Sequence, residues 1–103
     1  MAKEKVIGQA TEEQIKTWRE EHGDVFKIEV EGHVCYLKKP SKRILAAANQ
    51  AGRNDPFKFN ETLIRQTWLG GDETMRSDDD MFLSMAGALD DLIEVKVAEV
   101  KKL

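Results

Sequence analysis

Phe26, Ile28 and Val30 alternate with Lys27, Glu29 and Glu31, and Gly32 follows at once. This stretch constrains the fold more tightly than any other. Apolar and polar residues at period two give a strand with one face buried and one face wet. Gly32 supplies the positive φ of a tight turn, and Val34-Cys35-Tyr36-Leu37 then returns as a second strand. The turn centres on either Gly32-His33 or Glu31-Gly32. Both registers place Cys35 and Leu37 on the face of Phe26, Ile28 and Val30, because they differ by an even shift. A lone hairpin is barely stable in water, so its apolar face must meet helices or its edge must meet another strand.

Helices surround this hairpin in the sequence. Thr11-Glu12-Glu13-Gln14 has capping-box spacing, and Glu12 and Glu13 suit the positive end of a helix dipole. A helix is expected over 12–21, with Ile15 and Trp18 inward and Gly23 as its stop. So short a helix is marginal alone, which makes Trp18 its expected anchor. Ser41 is a good N-cap for a second helix running to Gly52. Asp55-Pro56 starts a third, since proline suits the first helical position. Its stripes are Phe57, Ile64 and Trp68, then Phe59, Leu63 and Thr67, and Gly70-Gly71 is read as its stop.

After a polar loop, Ser77 to Asp80 starts the last and longest expected helix. Phe82, Ala86, Leu89, Ile93, Val97 and Val100 recur there at steps of three and four. That helix is expected to reach close to Leu103. The resulting fold class is α+β: one antiparallel β-hairpin packed with about four helices, including a long C-terminal helix. Residues 1–10 are expected to be a flexible tail, with Val6 and Ile7 docking locally, and 11–103 a single domain. Its core is expected from Phe26, Ile28, Leu37, Leu45, Leu63, Leu89 and Ile93.

Charge narrows the function classes. The chain has 19 Asp and Glu against 16 Lys and Arg, a formal net charge of −3. Nucleic-acid binding usually needs a basic face, so nucleic acid is not an expected partner. The basic run Lys38-Lys39-Pro40-Ser41-Lys42-Arg43 lacks a Gly-rich loop or interleaved aromatics and reads as a solvated strand edge. The longest unbroken apolar run, Ile44 to Ala48, falls far short of a membrane span. No signal-peptide run follows Met1, and a cytoplasmic location in a bacterial host cell is expected.

Catalytic and metal readings find little support. Asp72, Glu73, Asp78, Asp79 and Asp80 offer oxygen ligands but lack the spacing of an EF-hand loop. Asp78 to Asp80 read as negative charge at a helix start. His22, His33 and Cys35 are too few for a structural zinc site. Cys35 points at the core by strand parity, where a free thiol behaves as a small hydrophobe. No cofactor, metal or enzyme activity is expected.

The apolar surplus in the second half of the chain is more informative. Met75, Met81 and Met85 lie close together, and apolar residues cover more than one helix face. Methionine-rich or aromatic helix surfaces commonly grasp partner segments. The expected partner-binding residues are therefore Trp68, Leu69, Met81, Met85, Leu92 and Val95. A protein partner or a homo-oligomer would cover them. Charge substitution at Met81 or Met85 should then weaken binding and leave the melting temperature nearly unchanged.

Three stretches carry a resemblance: Tyr36-Leu37-Lys38-Lys39-Pro40-Ser41, Asp55-Pro56-Phe57-Lys58-Phe59-Asn60-Glu61 and Trp68-Leu69-Gly70-Gly71-Asp72-Glu73. With Leu92-Ile93-Glu94-Val95-Lys96, they resemble small prophage-encoded proteins that in turn look like phage tail assembly chaperones. The resemblance spans roughly residues 25–103. It implies a small acidic chaperone that shields an apolar segment of a tape-measure or tail-tube protein. The alternative is a phage-encoded adaptor or regulator that binds a folded host protein. A third reading is a metal protein or enzyme acting through the acidic cluster.

Overall fold

The computed structural model describes residues 6–89, 98 and 100–103. Glu12–His22 is helix α1, closed at its start by the Thr11–Gln14 capping box and followed by Gly23. Val25–Val30 (β1) and His33–Lys38 (β2) pair antiparallel, with Val30 opposite His33. That register selects Glu31-Gly32 as the turn. Both residues have positive φ, 47° and 81°, the type I′ geometry whose twist suits a two-residue hairpin.

Ser41 Oγ accepts from Ile44 N–H and caps α2 (Lys42–Ala51). Asp55 Oδ1 accepts from Phe57 N–H ahead of α3 (Pro56–Thr67), which has proline in its first turn. Beyond α3 the structure departs from the expected arrangement, because the chain does not simply stop at the double glycine. Trp68–Gly71 forms a third strand, β3, antiparallel to β2, so the sheet is three-stranded in the order β1-β2-β3 rather than one hairpin. Trp68 lies opposite Leu37, and Gly70 opposite Tyr36.

The glycines make this strand fit. Gly71 has φ 128°, and a Cβ there would stand 2.4 Å from Cys35 Cα. A Cβ on Gly70 would meet the Trp18 ring at 3.0 Å. At Gly71 a side chain is excluded by the β2 backbone, while at Gly70 one would press on the edge of the Trp18 ring.

The end of the chain also differs from expectation. The region expected as a polar loop contains α4 (Thr74–Ser77), and α5 spans Asp79–Ala86, capped by Asp78 Oδ2. The last described helix, α5, is thus short and not the longest. Ala88 N–H donates to Met85 O, a tightened last turn beside Gly87, whose backbone freedom disfavours continuing the helix. Residues 100–103 are not helical. The expected continuation over 90–97 lies outside the described residues. The described residues therefore make an α+β fold of five helices and three strands.

Strand β2 is covered on both faces, with Val34, Cys35, Tyr36 and Leu37 all buried. One face, shared with Ile28, packs with Ile44, Ala48, Leu63, Ile64, Met75, Met85 and Leu89 as one cluster. Phe26, Val30, Leu45 and Trp68 border it. Ile93, also expected in the core, lies outside the described residues. The other face carries Val34 and Tyr36. Trp18 covers it, its ring centroid 5.5 Å from that of Tyr36, and Ala10 N–H donates to the Tyr36 hydroxyl at 3.2 Å. Ile7 bridges to the start of β2, donating to Gly32 O and accepting from Val34 N–H. No helix among the described residues is long and apolar enough to cross a membrane.

Candidate protein-docking groove

Among the described residues, the expected gripping set is not all on the surface. Met85 is fully buried in the main cluster, as is Met75. The short α4 and α5 turn both methionines inward, since α4 packs on β2 and α5 on β1. Met85 is therefore removed from the partner-binding set. Met81 and Trp68 are half-buried against the same cluster, and Leu69 is half-buried in β3. Leu92 and Val95 lie outside the described residues. Arg76 further shields Trp68, with its guanidinium carbon 4.3 Å from the ring centroid, a cation–π distance.

Apolar surface is exposed elsewhere. Phe57 in the first turn of α3 is 57% exposed, and Leu83 on α5 is 52% exposed. They flank a hollow of about 500 Å³ that Glu61, Arg76, Asp79 and Phe82 also line. An adjoining hollow of about 440 Å³ shares Glu61, Arg76 and Phe82 and adds Ile64 and Arg65. Together they form a groove between α3 and the α4–α5 segment, lined by both apolar and charged side chains.

Local sequence explains the positions. Pro56 and the Asp55 cap start α3 one residue before Phe57, which therefore stands at the helix end, one stripe with Ile64 but beyond the core. Asp78 starts α5 so that Met85 faces inward and Leu83 outward. Arg76 is held by Glu73 through two hydrogen bonds, Nε to Oε2 at 2.6 Å and Nη2 to Oε1 at 2.9 Å. Its guanidinium is thus fixed between Trp68 and the groove. Leu83 had one sequence signal, its offset from the Phe82, Ala86 and Leu89 stripe. Phe57 and Arg76 had none that separates them from core or surface residues.

A larger hollow of about 590 Å³ runs beside α1, but charged Glu12, Lys16, Arg19, Glu20 and Asp24 dominate its lining. It is a helix flank lined mainly by charged side chains, without an exposed large apolar residue.

The titratable groups have structural partners. Asp72 Oδ2 meets His33 Nδ1 at 2.5 Å, and its Oδ1 accepts from Thr74 N–H at 3.1 Å. The hydrogen bond from His33, then that from Thr74, holds the Asp72 carboxyl below its usual range. Glu73 binds Arg76, and Asp78 caps α5, so these three members of the acidic cluster serve separate local roles. No group of three or more His, Cys, Asp or Glu side chains suited to a metal ion occurs among the described residues. Burial pushes the Cys35 thiol up to about 12, which leaves almost no thiolate at neutral pH. In the basic run, Pro40 is buried and Ser41 is engaged as the α2 cap, while Lys42 and Arg43 face solvent.

No protein-family model matches this chain, and neither a curated protein nor a solved structure matches it.

Proposed function

We propose that this chain is a tail-assembly-chaperone-like protein that shields an apolar segment of a phage tape-measure or tail-tube protein. The groove between α3 and α5 carries the reading. Phe57 and Leu83 stand more than half exposed on its two walls, with Phe82 between them. A lining that mixes apolar side chains with Glu61, Arg65, Arg76 and Asp79 suits an amphipathic segment, which offers apolar and polar side chains together. The phage assignment rests on the resemblance of residues 25–103 to prophage proteins, and the groove supplies a place for such a client.

The test is a pull-down with the tagged full-length chain from the native host after prophage induction, read by mass spectrometry. Wild type should recover a long helical phage protein or a tube subunit. Phe57→Glu and Leu83→Glu should lose it and keep the wild-type melting temperature. Recovery of a folded host protein instead overturns the chaperone reading in favour of an adaptor. Equal recovery by all three chains removes the groove from the mechanism. A melting-temperature rise with millimolar Mg²⁺, Ca²⁺ or Mn²⁺ would support the acidic-cluster reading instead.

A further inference from the structure

The sheet has one edge whose chemistry is complementary to itself. In a hairpin with a two-residue turn, the residues flanking the turn form a hydrogen-bonded pair, and such pairs alternate along the ladder. Val30–His33, Ile28–Cys35 and Phe26–Leu37 are therefore the hydrogen-bonded pairs of β1 and β2. The bond from Lys39 N–H to Asp24 O continues the same parity beyond the strands. Val34 fits it as well, since its backbone bonds Ile7 and Asp72 on the side away from β1. It follows that the N–H and C=O groups of Val25, Lys27 and Glu29 point outward from the sheet. β1 is the outer strand, and among the described residues no backbone group pairs with these positions.

We propose that this edge is where two copies of the chain associate, pairing β1 with the partner's β1 antiparallel about a twofold axis at Ile28. In that register Lys27 lies opposite the partner's Glu29, and Glu29 opposite the partner's Lys27. Their outward backbone groups match, so each pair exchanges both of its N–H···O bonds. Their side chains share one face, and both are exposed. The result is two opposite-charge cross-strand pairs flanking the axis. On the other face Ile28 meets the partner's Ile28, and half-buried Phe26 meets the partner's Val30. The two three-stranded sheets become one continuous sheet.

The charges also choose this register. Sliding the strands by two residues keeps the backbone match but sets Lys27 against Lys27, or Glu29 against Glu29 with Lys27 left opposite the partner's Glu31, a turn residue outside β1. Like charges directly opposite are destabilising. A single lysine or glutamate on an edge normally prevents strand addition. Opposite charges two residues apart on one edge instead reject most strands and admit a second copy. The interface does not involve the α3–α5 groove, so each can fail while the other stands.

Sedimentation equilibrium on the full chain, from micromolar to millimolar concentration, tests the proposal. Wild type should show a monomer–dimer equilibrium. Lys27→Glu alone and Glu29→Lys alone should each weaken the dimer on the order of tenfold or more, because both cross-strand pairs become repulsive. Mixing the two variants should restore association, since both carboxylates of one variant then face lysines of the other. Circular dichroism should show both variants folded, as neither side chain is buried. A wild-type monomer at every concentration overturns the proposal. So does a dimer that survives both single substitutions, or a mixture that stays monomeric.

Discussion

The two faces of strand β2 are closed in different ways. Cys35 and Leu37 look onto a broad cluster to which α2, α3, α4 and α5 all contribute, with Leu63, Ile64, Met75 and Met85 fully buried. Val34 and Tyr36 look onto α1 and the segment around Ile7, and α1 has no buried residue. The first face is held by volume, spread over many side chains. The second is held by a few identified contacts: the Trp18 ring on Tyr36, the space at Gly70 and the hydrogen bond from Ala10 to the Tyr36 hydroxyl. Stability lost on the first face should follow the volume or charge introduced. On the second it should follow contacts, and the main cluster should survive.

The largest effect should come from Met85→Lys, which places an unpaired ammonium in the main cluster. A loss above about 4 kcal/mol is expected, enough to unfold a marginal domain. Urea denaturation or a melt would measure it, with Leu83→Lys as control. Leu83 is two residues away on the same helix and faces solvent, so that change should stay within about 0.5 kcal/mol. Similar losses for both would erase the distinction between the inner and outer sides of α5.

Trp18→Ala should cost less, about 2 kcal/mol, because the ring is only half-buried and truncations in a full core cost more. The sharper readout is Cys35. Its thiol lies on the opposite face, fully buried, with its ionisation pushed up to about 12 by burial. If the faces are separable, Trp18→Ala destabilises the chain while Cys35 still resists thiol reagents under native conditions. Rapid labelling of Cys35 in that variant would mean that detaching α1 opens the main cluster too.

This asymmetry also explains what could be read without coordinates. The Thr11 box, the Ser41 and Asp55 caps and the face shared by Ile28, Cys35 and Leu37 are local patterns, legible residue by residue. Strand β3 is not. Trp68-Leu69-Gly70-Gly71 has two glycines in four residues and follows a helix, so locally it reads as a helix stop. Its role as a strand depends on β2 beside it and Trp18 above it, far away in the sequence. The methionines illustrate the same limit. A surplus of apolar residues is visible, but which of Met75, Met81 and Met85 it exposes depends on how α4 and α5 fold back. The groove was legible only in part: Phe57 and Ile64 share a visible stripe, but nothing local sets Leu83 and Arg76 opposite them.

Tyr36→Phe tests the second face with a single atom. The ring and its packing on Trp18 stay, while Ala10 N–H loses its acceptor. A loss of about 1 kcal/mol is expected, the usual net worth of one hydrogen bond. No change would mean that water replaces the hydroxyl without cost, leaving the aromatic contact as the main tie on this side.

The smallest effect should come from the clasp between the start of β2 and the residue after β3, and pH reveals it. Hydrogen bonds from His33 and Thr74 stabilise the ionised Asp72 carboxylate, so its folded-state value is lowered from the ordinary 3.8. A carboxylate with a lowered folded value stabilises the native state fully above its unfolded value. That contribution declines as pH falls below 3.8 and is gone below the folded value. Asp72→Asn removes the titration but keeps an oxygen able to accept from Thr74. Urea midpoints of the two chains should therefore differ by a constant amount well above pH 3.8 and converge as pH is taken below it. A difference that stays constant on both sides of that value would show that Asp72 joins β3 to β2 through its shape and backbone bond to Val34, with its charge contributing nothing.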